Sequence, residues 1–277
     1  MSRLFGRAGG LVVARLRGAW PAVVVGAVFF GLWEGLVRLF DVQEFLLPRP
    51  TSIVAALSEQ WAGQAETLGT VPLREAGLNT AWIAVSGLIL GVALGAALAL
   101  IVTRFVRFGG AVTPLAVAIN ATPIVALAPI FNAWFGLTST FSNQAVVIVV
   151  VFFPVFINTA KGLTEVHPEQ LELLRSYGAS EMTILRRVRA PNALPFFLTS
   201  LRIAAPLSVI AAIVAEYFGG PQNRLGPVIT QNASFARYDA AWAAITVASA
   251  VGLVLFLLAI AAEWLAMPYR RKREAPQ

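Results

Sequence analysis

The chain has 277 residues, 58% hydrophobic and 13% charged, with a formal net charge of +7 and a mean hydropathy of +0.75. Soluble domains carry about 25% charged residues, so this balance makes lipid the solvent and excludes an ordinary soluble globule. There is no cysteine and one histidine, His167, which excludes disulfides, thiolate or His-rich metal sites and His-pair acid–base chemistry.

The basic residues form no stripe interleaved with aromatics, as nucleic-acid binding would require. His167 precedes Pro168 in a charged stretch and reads as a solvated loop residue. A spanning helix needs about 20 mostly apolar residues, and six segments qualify. A basic N-terminal tail, residues 1–18, leads into the membrane-spanning body, residues 19–268, and a basic tail, residues 269–277, follows it.

The first span runs near Trp20–Phe40. It is too long for a signal peptide and lacks a small-residue cleavage site after it. Glu34 and Arg38 lie four apart within it, in the order that favours a pair on one helix face. An acid-leaning loop follows over residues 41–77. There Thr51 or Ser52 is expected to cap a short surface helix through Ile53–Trp61.

The second span lies near Leu78–Val102. Its Gly87, Gly91 and Gly95 form a doubled G-x-x-x-G that lets a second backbone approach closely. The third, near Val112–Phe135, carries Pro114, Pro123 and Pro129 among Asn120, Thr122 and Asn132. Each proline removes a backbone donor, and broken helices at membrane depth border cavities or transport routes. The fourth lies near Gln144–Ala160, the fifth near Pro195–Phe218 and the sixth near Ala240–Trp264. Arg202, near the start of the fifth, is expected to snorkel to the interface. Glu216 lies near its outer end. Asn120, Thr122, Asn132, Asn158 and Glu216 are the candidate pathway residues.

Loop charges predict orientation. Arg3, Arg7, Arg15 and Arg17, then Arg104 and Arg107, then Lys161, Arg175, Arg186, Arg187 and Arg189, then Arg270, Arg271, Lys272 and Arg273 alternate onto one side. They are fifteen of the 21 basic residues. Both termini are therefore expected in the cytoplasm.

The loop 161–191 is long against its neighbours. A helix is expected over Glu165–Tyr177 and stops at Gly178, which suits a left-handed C-cap. Leu171 and Leu174 share one face of it. A second helical stretch, Glu181–Arg189, is expected to end at Pro191. A short amphipathic helix of this kind suits docking into a partner's groove.

Gly178, nine further residues and then Val188-Arg189-Ala190-Pro191 preserve the Gly-to-Pro spacing of the EAA loop of binding-protein-dependent ABC importer permeases. Leu173-Leu174-Arg175 stands where that loop has its E-A-A triplet. With Thr122–Gly136 and Phe152–Gly162, the chain resembles the nitrate, sulfonate and taurine branch, which includes thiamine-precursor and riboflavin permeases. The resemblance implies an all-α, type I importer permease with six transmembrane helices and a cytoplasmic coupling helix. Leu171, Leu174, Tyr177, Gly178, Ala179 and Ser180 would contact the ATPase. It implies two copies of an ATP-binding subunit that uses ATP and Mg, an external substrate-binding protein and a second permease copy in the lipid bilayer. This chain would bind no cofactor and catalyse nothing.

The chain's two lysines, Lys161 and Lys272, precede Gly162 and Arg273, so no Walker-type phosphate loop exists here. A secondary carrier or channel would need mid-membrane coupling charges or a selectivity constriction, and a membrane enzyme would need clustered nucleophiles or carboxylates. The sequence displays neither.

Overall fold

The computed structural model describes residues 2–44, 46–61, 71–105, 114, 117–118 and 123–267, with side chains from residue 20 onward apart from positions 22, 124 and 125. Among the described residues every regular element is helical. In hydrocarbon each backbone N–H and C=O must find its partner within the segment, which favours helix wherever the chain crosses lipid.

The helices are α1 (Ser2–Leu39), α2 (Pro50–Trp61), α3 (Leu73–Arg104), α4 (Ile124–Phe135), α5 (Thr140–Thr164), α6 (Pro168–Ser176), α7 (Glu181–Ile184), α8 (Ala190–Phe218), α9 (Leu225–Ser234) and α10 (Tyr238–Ala266). A five-residue π segment, Leu185–Arg189, joins α7 to α8. Four helices among the described residues are long and apolar enough to cross a membrane: α3, α5, the continuous helix Glu181–Phe218, and α10. The expected third span falls partly on residues outside those described. Its visible part is α4, which begins directly after Pro123 and holds Pro129 within it.

The glycine seam of α3 closes against α5. β-carbons on Gly87, Gly91 and Gly95 would sit 2.6 Å from Val147, 3.0 Å from the Ile148 carbonyl and 2.7 Å from the Phe152 carbonyl. No side chain fits there, so the backbones pack directly, as the G-x-x-x-G spacing predicts. The same crossing buries Ile83, Val147, Val151 and Val155 with Ala204, Ala211, Ala212 and Ala215 of α8. Small residues dominate because association in lipid rests on close van der Waals contact.

The two ends of this body differ. At one, α2 and α9 cap it: Ala56, Leu73, Leu225, Val228 and Val247 form a second buried cluster. At the other, Ala99, Val102, Phe156, Leu163 and Ala193 form a third. There Asn192 donates to the carbonyls of Gly162 and Glu165, both at 2.8 Å, tying the end of α5 to the start of α8.

Three local expectations need correction. The second helical stretch does not end at Pro191. It runs on through α8, because the widened π turn precedes the proline, and a π turn relieves the clash a proline ring makes with the carbonyl four residues earlier. Neither Thr51 nor Ser52 caps the surface helix. Glu34 of α1 does: it accepts the Thr51 backbone N–H at 3.2 Å and the Thr51 hydroxyl at 2.9 Å, and its Arg38 partner lies at 2.6 Å. Arg202 does not snorkel. It forms an ion pair with Glu263 of α10, a helix 61 positions later.

Candidate functional site

Polar side chains gather at the α9 end. Glu216, in the last turn of α8, is 2% exposed. One carboxylate oxygen, Oε2, accepts the Thr80 hydroxyl from α3 and the Gly226 backbone N–H from α9, both at 3.0 Å. Thr80 in turn accepts the Leu225 N–H at 3.0 Å. Glu216 thus caps α9 and binds three helices at one point. A β-carbon on Gly226 would collide with Glu216, so glycine there is what admits the carboxylate.

Beside it, Asn132 of α4 accepts the Ser142 hydroxyl at 2.5 Å and donates to the Phe218 carbonyl at 3.0 Å. Arg224 donates to Thr140 at 3.1 Å. Burial lowers the pKa of its guanidinium from the usual value, while the Glu216 carboxylate acts in the opposite direction. Asn143 is 1% exposed and its amide has no protein partner. A cavity of about 370 Å³ opens next to this knot, between the α4–α5 turn, the end of α8 and α9, with Thr138, Gln222, Thr230 and Gln231 in its walls.

Of the candidate pathway residues, the structure brings Glu216 and Asn132 to this end, where both are held by neighbouring backbone. Asn158 lies 15 residues beyond Asn143 on α5, about 22 Å along the helix, and donates to the Pro154 carbonyl at 2.8 Å. Asn120 and Thr122 lie outside the described residues. Thr80, Asn143 and Arg224 were missed by sequence reasoning. The one available signal was Arg224, an arginine in a loop on the base-poor side of the expected topology.

At the opposite end, α6 projects from the body with no buried residue. Its stop follows the Schellman pattern: Gly178 N–H donates to the Arg175 carbonyl at 2.9 Å and Ala179 N–H to the Leu174 carbonyl at 3.0 Å. Gly178 sits at φ +70°, with nothing near a β-carbon position, so conformation and not space demands glycine. Ser180 caps α7 by accepting the Thr183 N–H at 3.3 Å. The helix is shorter than expected because residues 165–167 precede it and Pro168 opens it. Leu171 and Leu174 are half-buried. Leu173 and Tyr177, four residues apart, are the outward apolar pair, Tyr177 being 81% exposed.

Residues 62–270 match the family described as binding-protein-dependent transport system inner membrane component. The chain is 34% identical to the formylaminopyrimidine transport permease protein of Halalkalibacterium halodurans over 247 residues, covering 87% of this chain and 92% of that one. It is 30% identical to the riboflavin transport system permease protein of Chloroflexus aurantiacus, covering 87% of each. It is 27% identical to the taurine transport system permease protein of Escherichia coli, covering 88% and 89%. An all-helical body with four membrane-length apolar helices, an EAA-type loop spacing and these matches agree: the chain belongs to the binding-protein-dependent transport system inner membrane components, the permease subunits of ABC importers.

Proposed function

We propose that this permease carries a small polar solute of the vitamin-precursor, sulfonate, taurine or nitrate class, handed over by an external binding protein, and alternates between outward- and inward-open forms. In this reading α1 and the segment ending in α4 add two spans to the four already described. Both termini and the loop 161–191 lie in the cytoplasm, in keeping with the fifteen basic residues on that side. The α9 end then faces the receptor, and the walls of its cavity, in which Glu216 is the one ionisable acid among mostly uncharged residues, suit a solute held only weakly in transit. The higher identity to the formylaminopyrimidine and riboflavin relatives favours a vitamin-precursor solute.

Two copies of an ATPase subunit, using ATP and Mg, would supply the energy, and a second identical permease would complete the pore. The segment from Leu171 to Ser180 acts as the coupling element. Leu171 and Leu174 seat it on the body, Gly178 to Ser180 fix its exit, and Leu173 with Tyr177 enters the ATPase groove. The observation that carries this reading is the exposed Leu173–Tyr177 pair on a helix whose end is firmly stopped. An apolar pair at i and i+4 is the form in which a helix is read by a groove.

The test is the double variant L173D/Y177D, expressed with the binding protein and ATPase encoded for the same system. Removing a central apolar anchor costs about 2 kcal/mol or more, roughly 30-fold in affinity. ATPase co-purification and uptake are expected to collapse while the amount of permease in the membrane stays unchanged. Normal uptake by the variant would refute the coupling assignment.

A further inference from the structure

Where α3, α6 and the π segment meet, a groove of about 250 Å³ opens at the α6 end. Arg104, Arg175 and Arg189 line it with one carboxylate, Glu181, and Leu100 and Leu185 supply apolar wall. Arg175 and Glu181 are 3.8 Å apart and both solvent-exposed. Among the described residues no carboxylate lies within 4.0 Å of Arg104 or Arg189. The Arg189 Nε is buried without a hydrogen-bond partner.

Three guanidiniums against one carboxylate leave a net positive, half-apolar pocket in which a buried donor is unanswered. Guanidinium groups match phosphate oxygens bidentately, and a desolvated donor left unpaired is costly. Arg104 lies in the last turn of a membrane-length helix, the level at which headgroups meet a spanning segment. Leu100 lies one turn deeper on the same helix.

We propose that this groove binds the phosphate of an anionic phospholipid of the inner leaflet, with the lipid's glycerol and first acyl carbons against Leu100 and Leu185. One headgroup then bridges Arg104 of the body, Arg175 of the coupling element and Arg189 of the π segment. The lipid pins the docking helix to the transmembrane core through a part of the chain that makes few contacts of its own. This rests on the orientation proposed above, which places the α6 end at the cytoplasmic leaflet.

The full chain is to be reconstituted in phosphatidylcholine nanodiscs containing a minority of phosphatidylglycerol, and the lipid it retains counted by native mass spectrometry. Each basic residue at an anionic surface contributes roughly 1 kcal/mol, so R104Q/R189Q is expected to lower phosphatidylglycerol retention about 30-fold. R186Q/R187Q, which removes the same charge outside the groove, is expected to retain it. If the first pair fails to fold, R189Q alone is expected to lose about 5-fold. Equal losses in both double variants would mean diffuse surface charge and would overturn the site, as would no preference for phosphatidylglycerol in the wild type. If inorganic phosphate stabilised the wild type in pure phosphatidylcholine discs as well as phosphatidylglycerol does, free phosphate would be the occupant and the lipid assignment would fall.

The chain has no cysteine, so Ser176→Cys labelled with an impermeant maleimide reads the orientation separately. Labelling from the cytoplasmic side with no lipid preference would overturn the lipid site alone. Labelling from the outside would overturn both the orientation and the inner-leaflet assignment.

Discussion

The two ends of the helical body handle polar groups in opposite ways. At the α9 end Glu216, Asn132, Ser142 and Arg224 are buried and bonded to other helices or to the backbone of other elements. At the α6 end no residue of α6 is buried, and its charged groups pair only loosely across solvent. A buried carboxylate persists only if donors reach it, so Glu216 commits α3, α8 and α9 to one arrangement. The exposed end commits to little by itself and leaves Leu173 and Tyr177 uncovered. The first end answers most of its buried polar groups within the chain, Asn143 excepted, whereas the second leaves its polar groups to solvent.

That contrast can be broken by substitution. The largest effect is expected between the ends, in the seam both depend on. Gly95→Leu would drive a side chain into the Phe152 carbonyl and Val155, and overpacking of this kind costs about 3 kcal/mol or more where backbone cannot yield. Loss of monodisperse protein on size exclusion is the expected readout. Glu216→Ala follows, at about 2–4 kcal/mol, because it orphans the Thr80 hydroxyl and the Gly226 N–H together. Thermal unfolding in detergent, followed by tryptophan fluorescence, measures it. Glu216→Gln keeps an acceptor for both donors and is expected to cost about 1 kcal/mol.

Gly178→Ala is expected to cost a similarly small amount of stability, about 1–2 kcal/mol, since it forces a β-carbon into the left-handed region without meeting any neighbour. Its expected signature is weaker ATPase association with near-normal melting of the body. If Gly178→Ala melted the protein as far as Glu216→Ala does, the α6 end would be an integral part of the body and the contrast would fail.

Much was legible in the chain by itself, and for local reasons. Gly87, Gly91 and Gly95 repeat every fourth residue, so they must share a helix face. Gly178 follows an amphipathic stretch, and glycine is the residue that tolerates the left-handed stop. The four membrane-length helices were legible because lipid demands an uninterrupted apolar run. Family membership was legible in the Gly178-to-Pro191 spacing. Pro191 misled, because sequence rules end a helix at proline and do not foresee a π turn that makes room for it.

The sequence alone therefore determined the solvent, the helical class, the glycine seam and the glycine stop of α6, because each rests on periodicity or on one residue's backbone preference. Only the tertiary structure decided that Glu34 caps α2, that Arg202 finds Glu263, that Glu216 ties α3 to α9, and that Leu173 with Tyr177 faces outward while Leu171 and Leu174 face in. A helix presents several faces of similar polarity, and a charge offers no sign of its distant partner. Which face is covered and which charge is answered depend on neighbours up to 145 positions away in the chain.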